Sequence, residues 1–209
     1  YQYGYPSIVM QSLYTVYIVA LNIILASFSD YAVTVLGLYY KVQTFFFIPL
    51  GAMQTCIVPV VSYNFAAGKY ERCKKTLKVA IGFGVALMMI GVVLFETIPG
   101  QMLHVFSHDL EVIRIGVVAF RFIGISFVPL VSSLTFPVFF QALGHAATSS
   151  ILTIIRTVFL FIPLAYLFSR FGLNWFWLTF PVTDSITTLA GYLFYRKFNK
   201  SMPSAAVEA

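Results

Sequence analysis

YAVTVLGLYYKVQTFFFIPLGAMQTCIVPVVSYNFAAGKYERCKKTLK, from Tyr31 to Lys78, decides the fold. It opens with about 36 apolar and aromatic residues holding one charge, Lys41, and two prolines, Pro49 and Pro59, inside an otherwise helical pattern. It then turns abruptly into Lys69, Arg72, Lys74, Lys75 and Lys78. Such a stretch reads as one long, kinked membrane helix delivered onto a basic cytoplasmic loop. At ~1.5 Å per residue a straight helix of this length reaches ~54 Å, well past a ~30 Å hydrocarbon core, so it tilts, kinks at the prolines or runs on into the cytoplasm.

Composition extends that reading to the whole chain. Hydrophobic residues make up 60% and charged residues 10%, and mean hydropathy is +0.89, whereas soluble domains carry roughly 25% charged residues. The net charge of +6 does not indicate nucleic acid, because eight of the thirteen basic residues fall in two short segments beside apolar runs, Lys69 to Lys78 and Arg196 to Lys200. Two cysteines, Cys56 in an apolar run and Cys73 among the basic residues, indicate no disulfide framework. The chain begins at Tyr1 and enters an apolar span with no basic segment before it, which reads as a fragment, not as a protein behind a signal peptide.

Working outward, a first span runs from Pro6 to Ser29 with no charge. At 100° per residue, Gln11, Thr15, Asn22 and Ser29 fall within about 40° of one another, a polar stripe that should avoid lipid. After the central element come a third span, Val79 to Phe95, and a polar outer segment with His104, His108, Asp109, Glu111 and Arg114. A fourth span, Ile115 to Leu143, carries Arg121, Pro129 and Pro137; Gly144-His145 makes a tight turn. The fifth, Ala146 to Phe168, carries Arg156, and the sixth, Phe171 to Tyr195, carries Asp184 and Pro181. Six spans put both basic clusters on the cytoplasmic side, with both ends cytoplasmic. The expected organisation is a six-span bundle over residues 1–200 and a disordered tail over 201–209.

Lys41, Arg156 and Asp184 each sit ~14 to 15 Å from the nearer end of their spans. A charge there costs at least ~2.5 to 3.5 kcal/mol on insertion scales, so it faces a cavity or a partner. Two readings stand: a solute or ion pathway, or a structural pair of Asp184 with Arg156 or Lys41. At helical spacing Asp184 shares its face with Trp177, Thr188, Gly191 and Tyr195. Gln43 and Gln54, eleven residues apart, come within about 20° of one another and form the better cavity pair, or else an interhelical hydrogen bond. The candidate pathway residues are therefore Gln11, Asn22, Lys41, Gln43, Gln54, Arg156 and Asp184. Enzyme signatures are missing, and His104 and His108 at i, i+4 lack the companions of a zinc site.

These residues resemble a known family. Gly4-Tyr5-Pro6 with Met10-Gln11-Ser12 resembles the G-x-P-x(3,4)-Q-S opening of the seventh span in bacterial multidrug and toxic compound extrusion (MATE) transporters. Gly37-Leu38-Tyr39-Tyr40-Lys41-Val42-Gln43-Thr44-Phe45 is similar to their G-x-Y-x-K-x-Q-x-F eighth span, and Pro59 with Tyr63-Asn64-Phe65-Ala66-Ala67-Gly68 to the P-x-x-x-Y-N-x-G-A segment after it. The similarity is nearest to the MepA-like branch, and the order of spans matches the C-terminal half of the family.

The resemblance implies an all-α integral membrane fold, a six-helix bundle forming one lobe of a twelve-helix antiporter in the bacterial inner membrane. Such proteins expel amphipathic, often cationic drugs by alternating access, in exchange for H⁺ or Na⁺ and without a cofactor. The partners implied are small-molecule drugs or organic cations, the lipid bilayer and a missing N-terminal six-helix lobe, with no nucleic acid. Against the family pattern, Pro6 to Ser29 and Ile115 to Leu143 hold no carboxylate, which leaves Asp184 as the mid-membrane acid. A lipid-linked oligosaccharide flippase of the same superfamily is the alternative transporter, with Lys41, Arg121 and Arg156 meeting a pyrophosphate. A membrane scaffold subunit is the alternative outside transport.

Overall fold

The computed structural model describes residues 5–201, with side chains from Ser12 to Lys200, and every regular element among them is helical. The chain runs through α1 (Tyr5–Ala26), α2 (Asp30–Ala66), α3 (Tyr70–Thr97), the short α4 (Pro99–His104) and α5 (Leu110–Ala142). It continues through α6 (Ala146–Ile154), a π-helical segment (Ile155–Phe161), α7 (Ile162–Ser169), the single turn α8 (Leu173–Phe176) and α9 (Thr179–Ser201). Since α6, the π segment and α7 are continuous, the described residues form six long helices. Four of these, α2, α3, α5 and the 146–169 helix, combine the length and hydropathy needed to cross a membrane. With 22 and 23 residues, α1 and α9 reach ~33 to 35 Å and are long enough too.

Local chemistry sets the boundaries. Ser29 caps α2, its hydroxyl accepting from the Ala32 N–H at 3.2 Å, and Asp109 caps α5 by accepting from the Glu111 N–H at 2.9 Å. Two helices end alike, with a left-handed glycine. Gly68 (φ 71°) follows α2 while the Lys69 N–H reaches the Asn64 carbonyl at 2.8 Å; Gly144 (φ 80°) follows α5 while the His145 N–H reaches Phe140 at 2.9 Å. This six-to-one closure satisfies carbonyls that the helix end would otherwise orphan.

The structure corrects three sequence expectations. The basic segment after Ala66 is no loop: only residues 67–69 turn, and Arg72, Lys74, Lys75 and Lys78 occupy the first turns of α3. Helix propensity among Lys, Arg and Glu carries the helix past the apolar limit. The last span begins later than Phe171, because Gly172 (φ 117°) breaks the chain and α8 intervenes before Thr179. Trp177 is consequently outside α9, and Asp184 lies five residues, or ~7.5 Å, beyond the first residue of that helix. The helix through Arg156 is also not uniformly α. Pro163 cannot donate to the Phe159 carbonyl, and the preceding turns widen to π geometry.

The hub is α5, which packs on α2, α3 and α9. Close approach is made by small residues: a Cβ on Gly191 of α9 would lie 2.5 Å from the Phe136 ring, one on Gly84 of α3 2.6 Å from Val131, and one on Gly91 2.8 Å from Phe127. The apolar core divides into two clusters. One holds Leu36, Tyr39, Phe95, Phe120, Phe127 and Phe180; the other holds Ile57, Val61, Leu77, Phe136, Phe139 and Leu152. Between them in each chain segment fall Gln54 on α2, Ser133 on α5 and Asp184 on α9, a polar layer across the middle of the bundle.

Candidate functional site: a polar cavity at mid-bundle

A cavity of about 510 Å³ occupies that layer. Its wall is partly aromatic, with Tyr14 and Tyr17 from α1 and Phe47 from α2, and partly polar, with Gln43, Gln54 and Arg156. Gln43 and Gln54 thus come from one helix to one cavity, three turns apart. The Gln43 Oε1 acceptor and the Gln54 Nε2 donor are buried without a hydrogen-bond partner among the described residues.

Among the described residues, Arg156 is the one charged residue lining the cavity. Behind it stands Asp184, fully buried, whose Oδ1 accepts from Arg156 Nε at 2.8 Å. The same Oδ1 lies 3.0 Å from Ser133 Oγ, which is equally 3.0 Å from the Leu130 carbonyl, so its single proton is shared between two acceptors. Asp184 Oδ2 has no partner among the described residues. Arg156 therefore neutralises the carboxylate through Nε, and its Cζ lies over the Phe161 ring, 5.0 Å from the centroid. The π turn brings the two side chains toward one face. Residues five apart diverge by about 140° on an α-helix but only by about 50° when the turn closes at i→i+5. Phe161 in turn stacks on Tyr17, centroids 5.0 Å apart at 23°, which ties the arginine to the α1 wall of the cavity.

The other candidates lie elsewhere. Lys41 is exposed on α2 and does not meet Asp184, which pairs with Arg156. Arg121 is exposed on α5, so of the three cations considered for a pyrophosphate only Arg156 lines the cavity. Asn22 is half-buried and donates to the carbonyl of Ile18 at 2.8 Å on its own helix. The Gln11 side chain falls outside the described residues. The helical face that carries Asp184 is packed on α5. Thr188 donates to the Pro129 carbonyl at 2.7 Å, Gly191 meets Phe136, and Tyr195 lies edge-on to Phe139 at 6.0 Å. Ser133 and the tyrosines of α1 escaped the sequence reading. A hydroxyl four residues after Pro129 inside an apolar span was the available signal for Ser133.

A six-helix apolar bundle with small-residue seams and a polar layer at its centre is the construction of a membrane transporter lobe. The MatE family model matches residues 6–167, and the chain belongs to that family, whose members are transporters rather than enzymes. The multidrug export protein MepA of Staphylococcus saprophyticus is 24% identical over 193 residues, 92% of this chain and 43% of that protein. MepA of Staphylococcus haemolyticus is 23% identical over 174 residues, covering 83% and 38%. Among solved structures, an outward-facing multidrug resistance MATE transporter superposes with a TM-score of 0.91 at 19% identity, over 97% of this chain and 46% of the other. A MOP superfamily transporter from Pyrococcus furiosus, described as having a binding pocket of reversed polarity, gives 0.90 at 20%, over 97% and 46%. The chain thus spans under half the length of the relatives it matches.

Proposed function

We propose that this chain is the C-terminal six-helix half of a multidrug efflux antiporter, and that the mid-bundle cavity is this lobe's share of the substrate path. The observation carrying the proposal is the cavity itself. It joins aromatic faces, which accept flat apolar molecules and cations, to the unpaired amide groups of Gln43 and Gln54, which satisfy varied polar substituents. The guanidinium of Arg156 in its wall is already held by Asp184, so an amphipathic cation meets a compensated pair rather than a bare guanidinium. The partner lobe completes the path from the other side, and rocking of the two lobes gives alternating access.

Coupling to H⁺ or Na⁺ runs through the Asp184–Arg156 pair in this reading. A proton or cation on Asp184 breaks its bond to Arg156 Nε and lets the guanidinium swing into the cavity, displacing a cationic substrate. Binding of a fluorescent lipophilic cation such as ethidium to the purified chain in nanodiscs tests the cavity. Gln54→Trp should abolish saturable binding while preserving the melting temperature. Saturable binding unchanged by Gln54→Trp would sink the assignment.

A further inference from the structure

We propose that a second site, the groove between the C-terminal half of α2 and the N-terminal half of α3, binds an anionic phospholipid. Its acyl chain would lie along the slot and its phosphate between Arg72 and Lys75. The two helices are antiparallel and joined at Gly68, so their ends near the turn lie together. On α2, Met53, Ile57, Val60 and Asn64 recur at helical spacing into the groove; on α3, Arg72, Lys75, Val79 and Phe83 do the same. Both stripes change character in the same direction. They are polar beside the turn and apolar away from it, and because the helices run in opposite directions the polar ends coincide.

The resulting groove has a volume of about 690 Å³. From Lys75 to Phe83 it extends ~12 Å along α3, a depth suited to an acyl chain and far beyond what a free anion needs. It is open sideways, with Val79 61% and Phe83 59% exposed on the face that would meet lipid. At the mouth the charge is uncompensated. Glu71 is taken by Lys74 at 2.7 Å, and neither Arg72 nor Lys75 has an acidic partner among the described residues. A phosphodiester supplies the missing negative charge and accepts from both. An exposed apolar slot capped by two free cations at the end of a membrane helix fits a phospholipid better than either half fits any other ligand. This proposal does not depend on the function of the mid-bundle cavity.

The test uses the purified chain in phosphatidylcholine nanodiscs titrated with phosphatidylglycerol, which is presented in both leaflets, so chain orientation does not affect the result. Retained lipid is read by native mass spectrometry and the melting temperature in parallel. The double variant Arg72→Gln, Lys75→Gln should lower phosphatidylglycerol association roughly thirty-fold, about 2 kcal/mol, from about 1 kcal/mol per basic residue. Its melting temperature in pure phosphatidylcholine should match the parent. Arg196→Gln, Lys197→Gln, the same charge change beside the end of α9, should have little effect. Val79→Trp, which fills the slot and leaves both charges, should also lose the lipid, and it decides the matter if the double variant fails to fold. Equal losses in both charge pairs would mean general surface attraction and would overturn the site. Retention in Val79→Trp, or full competition by inorganic phosphate, would mean a free-anion site and overturn it as well.

Discussion

Asp184 and Arg156 are held by geometry that leaves little slack: one carboxylate oxygen shared between Nε and Ser133, the other unpaired, and a guanidinium fixed over Phe161. A buried pair is weak evidence for stability, because replacing both partners is often neutral, whereas removing one leaves a stranded charge. Asp184→Asn is expected to cost roughly 3 to 5 kcal/mol in a thermal or denaturant melt. Adding Arg156→Gln should recover much of that loss. In the intact two-lobe transporter the rescued double variant should still fail at coupled efflux of a cationic drug if the pair carries the coupling. Wild-type efflux by the stable double variant would reduce the pair to a structural tie. Ser133→Ala removes a hydroxyl donor to the Asp184 carboxylate, a hydrogen bond to a charged group, and should cost about 1.5 to 3 kcal/mol.

At the scale of elements, the bundle is joined through α5, and the seams depend on side chains that are absent. Gly191→Ala would press a methyl group to within 2.5 Å of the Phe136 ring. The clash should destabilise by about 1 to 3 kcal/mol, read as a lower melting temperature in detergent. Gly37 on α2 has nothing within 4 Å, and Gly37→Ala should be neutral or slightly stabilising, because alanine is the better helix former. Similar melting temperatures for the two variants would contradict the packed α5–α9 seam. The π segment belongs to this scale as well. It widens the helix where Pro163 withdraws a donor, and the same widening turns Arg156, Thr157 and Phe161 inward together.

For the whole molecule, the expected topology places the basic start of α3 and both ends of the chain in the cytoplasm and α4 outside. In a background without Cys56 and Cys73, Lys75→Cys and His108→Cys should label from opposite sides with an impermeant thiol reagent. Labelling from one side would refute the six-crossing arrangement. The chain matches under half of its relatives' length, and alternating access in this fold needs two lobes around a shared site. Expressed alone, the 209 residues should therefore give no efflux of a fluorescent cation. Coupled efflux by a monomer of this chain would overturn the half-transporter reading.

The membrane class, the long α2 and the turn at Gly144 were legible in the sequence, since hydropathy over a span and glycine at a helix end act locally. Pairing of Gln43 with Gln54 could be read from helical period alone, because both lie on one helix. Three features could not be read that way: which cation meets Asp184, whether Lys41 faces the interior, and where the basic residues stop being loop. An ion pair between residues 156 and 184 depends on how α9 and the 146–169 helix rotate about their axes, and that rotation follows from side chains on α5 and from the π turn ahead of Pro163. Helical spacing put Asp184 on one face with Thr188, Gly191 and Tyr195, and the structure keeps them together. Only tertiary packing decided that this face meets α5 instead of water, because periodicity orders residues around an axis and carries no information about what the neighbouring helix presents.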